Sequence, residues 1–152
     1  MYIVGLYILG KMASKQGHKN TKILPVTDDS PKGSQDITTE LEMLGFHQVG
    51  VMKYQPVFGL LGTTIVYTYF NNARNIVAYA SKRDTKLTFS CSFEDGFDVS
   101  TDYPKGSPSD GKKVIRRVVK SSVENAFNFH LHHVKKHIAE HGKPMRFKTL
   151  RT

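Results

Sequence analysis

The residues best suited to chemistry in this chain are histidines. Five of the seven, His130, His132, His133, His137 and His141, fall within one twelve-residue run near the C-terminal end. A neutral imidazole offers a ring-nitrogen lone pair to a divalent metal. At about 100° per helical residue, His130, His133, His137 and His141 line one flank, while His132 points away. His133 and His137 are four residues apart, as are His137 and His141, and that spacing lets two imidazoles reach one ion. Zinc is the ion the donor set suits. A catalytic zinc needs three protein ligands and an open position, and one straight helix cannot surround an ion. A further ligand must come from a strand, a loop or another chain, and His47, Asp95, Asp98 and Asp102 are the available donors. The zinc-hydrolase signature H-E-x-x-H is absent: Val, Lys and Lys separate His133 from His137. The competing use of these half-apolar rings is packing at the edge of a core, with His130 the deepest.

The element that must position them is a helix over Ser121–Gly142. Ser121 followed by Glu124 reads as a capping box. Gly142 and Pro144 mark the end. Val123, Phe127, Leu131, Val134 and Ile138 form an apolar stripe beside the histidine flank. The helix therefore has a surface to cover.

That surface is a sheet. A short helix opens at Asp36 and closes at Gly45, with Ile37, Leu41 and Leu44 on one face. Strands are expected at His47–Tyr54, Thr63–Phe70, Ile76–Ser81, Leu87–Phe93 and Phe97–Tyr103. An earlier edge strand, near Ile23–Val26, is compatible with Pro25. Between Phe93 and Phe97, a three-residue loop with Gly96 left-handed puts Leu87, Phe89, Cys91, Phe93, Phe97, Val99 and Tyr103 on one face. A two-residue loop would split them. Pro104–Gly111 reads as a loop, and Lys112–Lys120 as a strand or an extended lead-in to the long helix. The expected fold is α+β: a mainly antiparallel meander of about five strands, covered on one face by the C-terminal helix, with a short helix before the sheet.

Composition sets the outer bounds. The chain has 152 residues, 39% hydrophobic and 23% charged, which suits one folded domain over 35–142. Residues 1–34 read as an apolar strand or extension plus a basic flexible arm, and 143–152 as a basic tail. The apolar opening MYIVGLYILG is too short to span a bilayer and lacks a signal-peptide pattern, and the start lies at Met1 or Met12. The lone Cys91 excludes an internal disulfide framework and reads as a buried structural thiol. A cytoplasmic protein, with peripheral membrane association open, is the expectation.

A formal charge of +9 favours anionic partners. Lys112, Lys113, Arg116, Arg117 and Lys120 form the densest basic run and are the expected anion-binding residues. Exposed Tyr67 and Tyr69 would offer stacking platforms for bases. No RRM, zinc-finger or basic-zipper spacing accompanies them. Asp98 and Asp102 are expected at polar outward positions of their strand.

The run Phe93-Glu94-Asp95-Gly96-Phe97-Asp98-Val99-Ser100-Thr101 resembles an F-x-D-G-x-x-[LV]-x-T hairpin found in a family of uncharacterised bacterial proteins. There too the hairpin follows a helix ending in L-G-F, as Leu44-Gly45-Phe46 stand here, and precedes a helix histidine, as His130 stands here. The resemblance covers roughly Ile37 to His137. It implies a shared fold unit and no particular activity. Together these readings predict a binding or interaction module that uses the sheet–helix layer for a protein or small ligand. Metal-dependent hydrolysis on the helix histidines and nucleic-acid binding are the alternatives.

Overall fold

The computed structural model describes residues 22–25, 35–54, 64–81 and 86–145. The expected apolar N-terminal segment, most of the basic arm and the end of the tail lie outside them. Eight strands form one sheet: β1 Lys22–Pro25, β2 His47–Tyr54, β3 Thr64–Asn71, β4 Ile76–Ser81, β5 Lys86–Ser92, β6 Asp98–Tyr103, β7 Ser109–Asp110 and β8 Val114–Val118. Helix α1 spans Gln35–Met43 and α2 spans Val123–His141.

The architecture is α+β, with two corrections. Strands β1 to β6 form the expected antiparallel meander, but β8 then joins the edge of β6 in parallel and β7 pairs antiparallel outside it. The sheet is mixed, and it has more than five strands. The lead-in at Val114–Val118 pairs with β6 because Asp98, Ser100 and Asp102 leave that edge open, and the Asp98 amide donates to the Lys113 carbonyl at 2.8 Å.

The hairpin register follows from its side chains. Cys91 pairs with Val99, the Phe93 amide donates to the Phe97 carbonyl, and Gly96 has φ +90°. Leu87, Phe89, Cys91, Phe93, Phe97 and Val99 thus share the helix face, as the three-residue loop predicts. In β2 a bulge between Gln48 and Gly50 inverts the alternation, so Val51 packs under the helices while Val49 packs with Phe70 and Val77 on the far face.

Both helices are pinned at their ends. At α1 the Gly45 amide donates to the Glu42 carbonyl and the Phe46 amide to the Leu41 carbonyl, with Gly45 at φ +92°. This left-handed cap turns the chain so that Phe46 enters the core. Asn71 Nδ2 donates to the Leu44 carbonyl at 2.8 Å, which ties the cap to β3. At α2 the cap is Ser122 and not Ser121: its hydroxyl accepts from the Asn125 amide at 3.0 Å. Ser121 instead accepts from the Asn125 side chain, and Glu124 serves as a first-turn acid facing the helix dipole.

The core lies between the sheet and α2. Phe46, Phe89 and Phe127 meet in pairs with ring centroids 5.5–5.7 Å apart. Leu41, Tyr69, Ile76, Leu87 and Val99 fill in around them. Each such side chain contributes about 1.5–3 kcal/mol on burial. Tyr67 and Tyr69, expected on the surface, are core residues at 3% and 0% exposure, and the Tyr69 hydroxyl meets Thr38 of α1. The reason is register: both fall on the helix face of β3.

Candidate metal centre

Helix α2 crosses the sheet with His130 over β6 and its C-terminal turn over the β5–β6 loop. This sorts the four flank histidines by depth. His130 is fully buried; its Nδ1 lies 3.0 Å from Thr101 Oγ1, and its ring sits against Phe89. Burial pushes its pKa down to about 3, with the neighbouring His133 adding to the effect. Its Nε2 is also buried and makes no hydrogen bond. His130 is a neutral core residue, set apart from the other three.

His133, His137 and His141 run outward along the same flank. His133 Nε2 and His137 Nε2 are 3.3 Å apart. With zinc–nitrogen bonds of about 2.0–2.1 Å, two ligands of a tetrahedral ion sit roughly 3.3–3.4 Å apart. The same pair can share a proton in the absence of an ion. His133 is held neutral, its pKa lowered to about 4 by burial first, then by His137, Arg117 and Lys136, with Asp110 opposing. Its lone pair is therefore free of a proton at neutral pH.

His141 is the best-oriented of the three. Its ring stacks face-on against Phe97, with centroids 3.8 Å apart and planes within 2°. Its Nδ1 contacts Asp95 Oδ2 at 2.5 Å. Asp95 is fixed in turn, because Oδ1 accepts from the Phe97 amide at 3.0 Å. The Asp95 carboxyl is held below the usual range by the hydrogen bond from His141 first and the Phe97 amide second. A carboxylate on Nδ1 directs Nε2 outward as the donor, the arrangement seen behind metal-binding histidines. Of the four expected outside donors, Asp95 alone reaches the flank, and it does so through His141. His47 stacks edge-on with Phe70 on the far face, and Asp98 and Asp102 project from the far face of β6.

Glu140 completes the group. Its Oε2 lies 3.7 Å from His141 Nε2, and ligand atoms of His137, Glu140 and His141 fall within 4.8 Å of one another. The signal for it was in the sequence: His137-Ile138-Ala139-Glu140-His141 is H-x-x-E-H, the reverse of the usual zinc-hydrolase order. The forward pattern between His133 and His137 does not reveal it.

The expected anion-binding residues do not converge. Neighbours on β8 alternate sides, so Arg116 faces Asp102 at 3.9 Å while Arg117 pairs with Asp110 at 2.7 Å. Lys112, Lys113 and Lys120 are exposed at the two ends of the strand. Asp102 corrects a further expectation. It is fully buried, accepting from the Thr88 hydroxyl at 2.7 Å and facing Lys86 at 3.2 Å. Gly106 lies over it, where a Cβ would fall 2.3 Å from the carboxylate. Cys91 is buried with its pKa raised to about 12 by desolvation, so its thiol is inert.

No family model, curated protein or solved structure matches the chain. Among the described residues no helix is long and apolar enough to cross a membrane.

Proposed function

We propose that this protein is a small binding module that holds one divalent transition-metal ion, zinc being the best suited, on the outer histidine flank of α2. The layer between sheet and helix is filled by Phe46, Phe89, Phe127 and His130, so the binding surface is moved from that layer to the flank. The observation that carries the reading is the Asp95–His141 contact beside His137 and Glu140, which combines an oriented imidazole with two further donors. His133 stands at ligand distance from His137 as an alternative to Glu140. Protein made without a His tag is expected to bind about one zinc per chain and to melt at a higher temperature with zinc than without. Less than about 0.1 zinc per chain, with unchanged melting, would sink the proposal.

A second reading adds hydrolysis, and the H-x-x-E-H order favours it. In this reading His133, His137 and His141 would hold the ion, and Glu140, exposed and 3.7 Å from His141 Nε2, would stay off the metal as the base toward its bound water. Zinc-loaded protein would then hydrolyse an activated ester, and Glu140→Gln would abolish turnover. An equal rate in the variant rejects Glu140 as the base.

A further inference from the structure

Which outside ligand would such an ion take? The answer lies in how the donors are arranged. His133, His137, Glu140 and His141 all belong to one helix, spaced over nine residues. Donors from one helix approach an ion from one side, which leaves its outward positions for another molecule. The rim of that open side is cationic. Lys136 lies one turn before Glu140 on α2, and Arg117 is already engaged by Asp110. Lys136 is exposed on the same helix. An ion held by imidazoles keeps most of its positive charge, Glu140 cancels part of it, and the chain as a whole carries +9.

We infer that the metal held by His137, Glu140 and His141 takes a phosphomonoester-class oxyanion as its outward ligand, with Lys136 as the second cationic contact. The inference rests on the metal-binding reading above. A dianionic phosphate has three terminal oxygens, so one can enter the coordination sphere while another meets an ammonium group. A carboxylate has two oxygens and half the charge, and it serves both partners less well. The metal and the oxyanion each favour the other's binding by the same factor, as linkage requires.

The full chain without a His tag is loaded with cobalt(II), a coloured stand-in for zinc, and its visible spectrum is followed while methyl phosphate is added. The band is expected to shift and saturate, and cobalt is expected to bind roughly tenfold tighter at saturating methyl phosphate. Lys136→Ala is expected to weaken methyl phosphate about fivefold in the cobalt-loaded protein, and undiminished binding overturns the Lys136 contact. A cobalt band that methyl phosphate leaves unmoved overturns this inference and leaves the metal reading intact. Acetate acting as strongly as methyl phosphate also overturns it. No cobalt band at any concentration removes the metal reading itself.

Discussion

Two polar clusters lie on opposite sides of β6, and they solve the same problem in opposite ways. On the far face, Asp102 keeps its charge out of water. Lys86, Arg116 and the Thr88 hydroxyl surround it and Gly106 closes over it. On the helix face, the histidines avoid charge instead: His130 and His133 are held neutral by burial. A closed ion cluster pairs its charges internally and is suited to holding structure. A ring cluster that opens outward through His137 and His141 offers ring nitrogens as ligands. The difference teaches where to look for binding: away from the internally paired charge.

The comparison can be broken at several points. The largest effect is expected on the closed side. Asp102→Ala leaves two cations facing one another and the Thr88 hydroxyl without its acceptor, at a cost of about 3 kcal/mol in urea unfolding. A loss under about 1 kcal/mol would mean that the cluster is not structural.

Next comes the pH response of the neutral side. The unfolded chain takes up a proton at each histidine near pH 6.5, whereas folded His130 does so near pH 3. The unfolded state therefore binds more protons between those values. Stability is full above pH 6.5 and falls as pH drops toward 3, by up to about 1.4 kcal/mol per unit for His130 alone. His130→Met should flatten that slope. An equally steep slope in the variant would assign it to other groups.

A smaller effect tests the helix itself. Ser122→Ala should cost about 1 kcal/mol and Ser121→Ala clearly less. Equal losses would return the cap to Ser121. The smallest stability effect is expected at the open end. Without metal, His137→Ala should change unfolding by less than about 1 kcal/mol. Asp95→Asn should leave the urea midpoint nearly in place while weakening zinc about tenfold or more, since it only orients His141. A large loss of fold in either variant would make the flank structural after all.

Much of this was legible in the sequence, for reasons that are local. The Asp95-Gly96 loop, the Gly45 cap and the α2 stripe are each set by a few neighbouring residues, and each was readable. What was not legible depends on partners distant in the chain. Asp102 reads as an outward strand residue until β8 and the Gly106 loop come to cover it. Tyr67 and Tyr69 read as surface rings until α1 is laid across β3. The flank of four histidines was visible, but its division into one buried ring and three outer ones needed the aromatic floor supplied by Phe89 and Phe97. Glu140 is legible only in the reversed order H-x-x-E-H, which the forward zinc pattern between His133 and His137 does not contain.

The placement of β8 between β6 and β7 also bears on how the chain reaches its fold. Strands β7 and β8 are joined by a tight turn in which the Gly111 amide donates to the Val114 carbonyl. They form one local hairpin, whose β8 strand pairs in parallel with the edge of β6. Helix α2 follows directly, so its docking is tied to the same event. The folding nucleus is then expected in the meander, β2 to β6, in which each strand pairs with the next one in the chain. Substitutions in β8 should chiefly speed unfolding and leave the folding arm of the chevron little changed. On that expectation the histidine flank is assembled last, on a scaffold that has already committed.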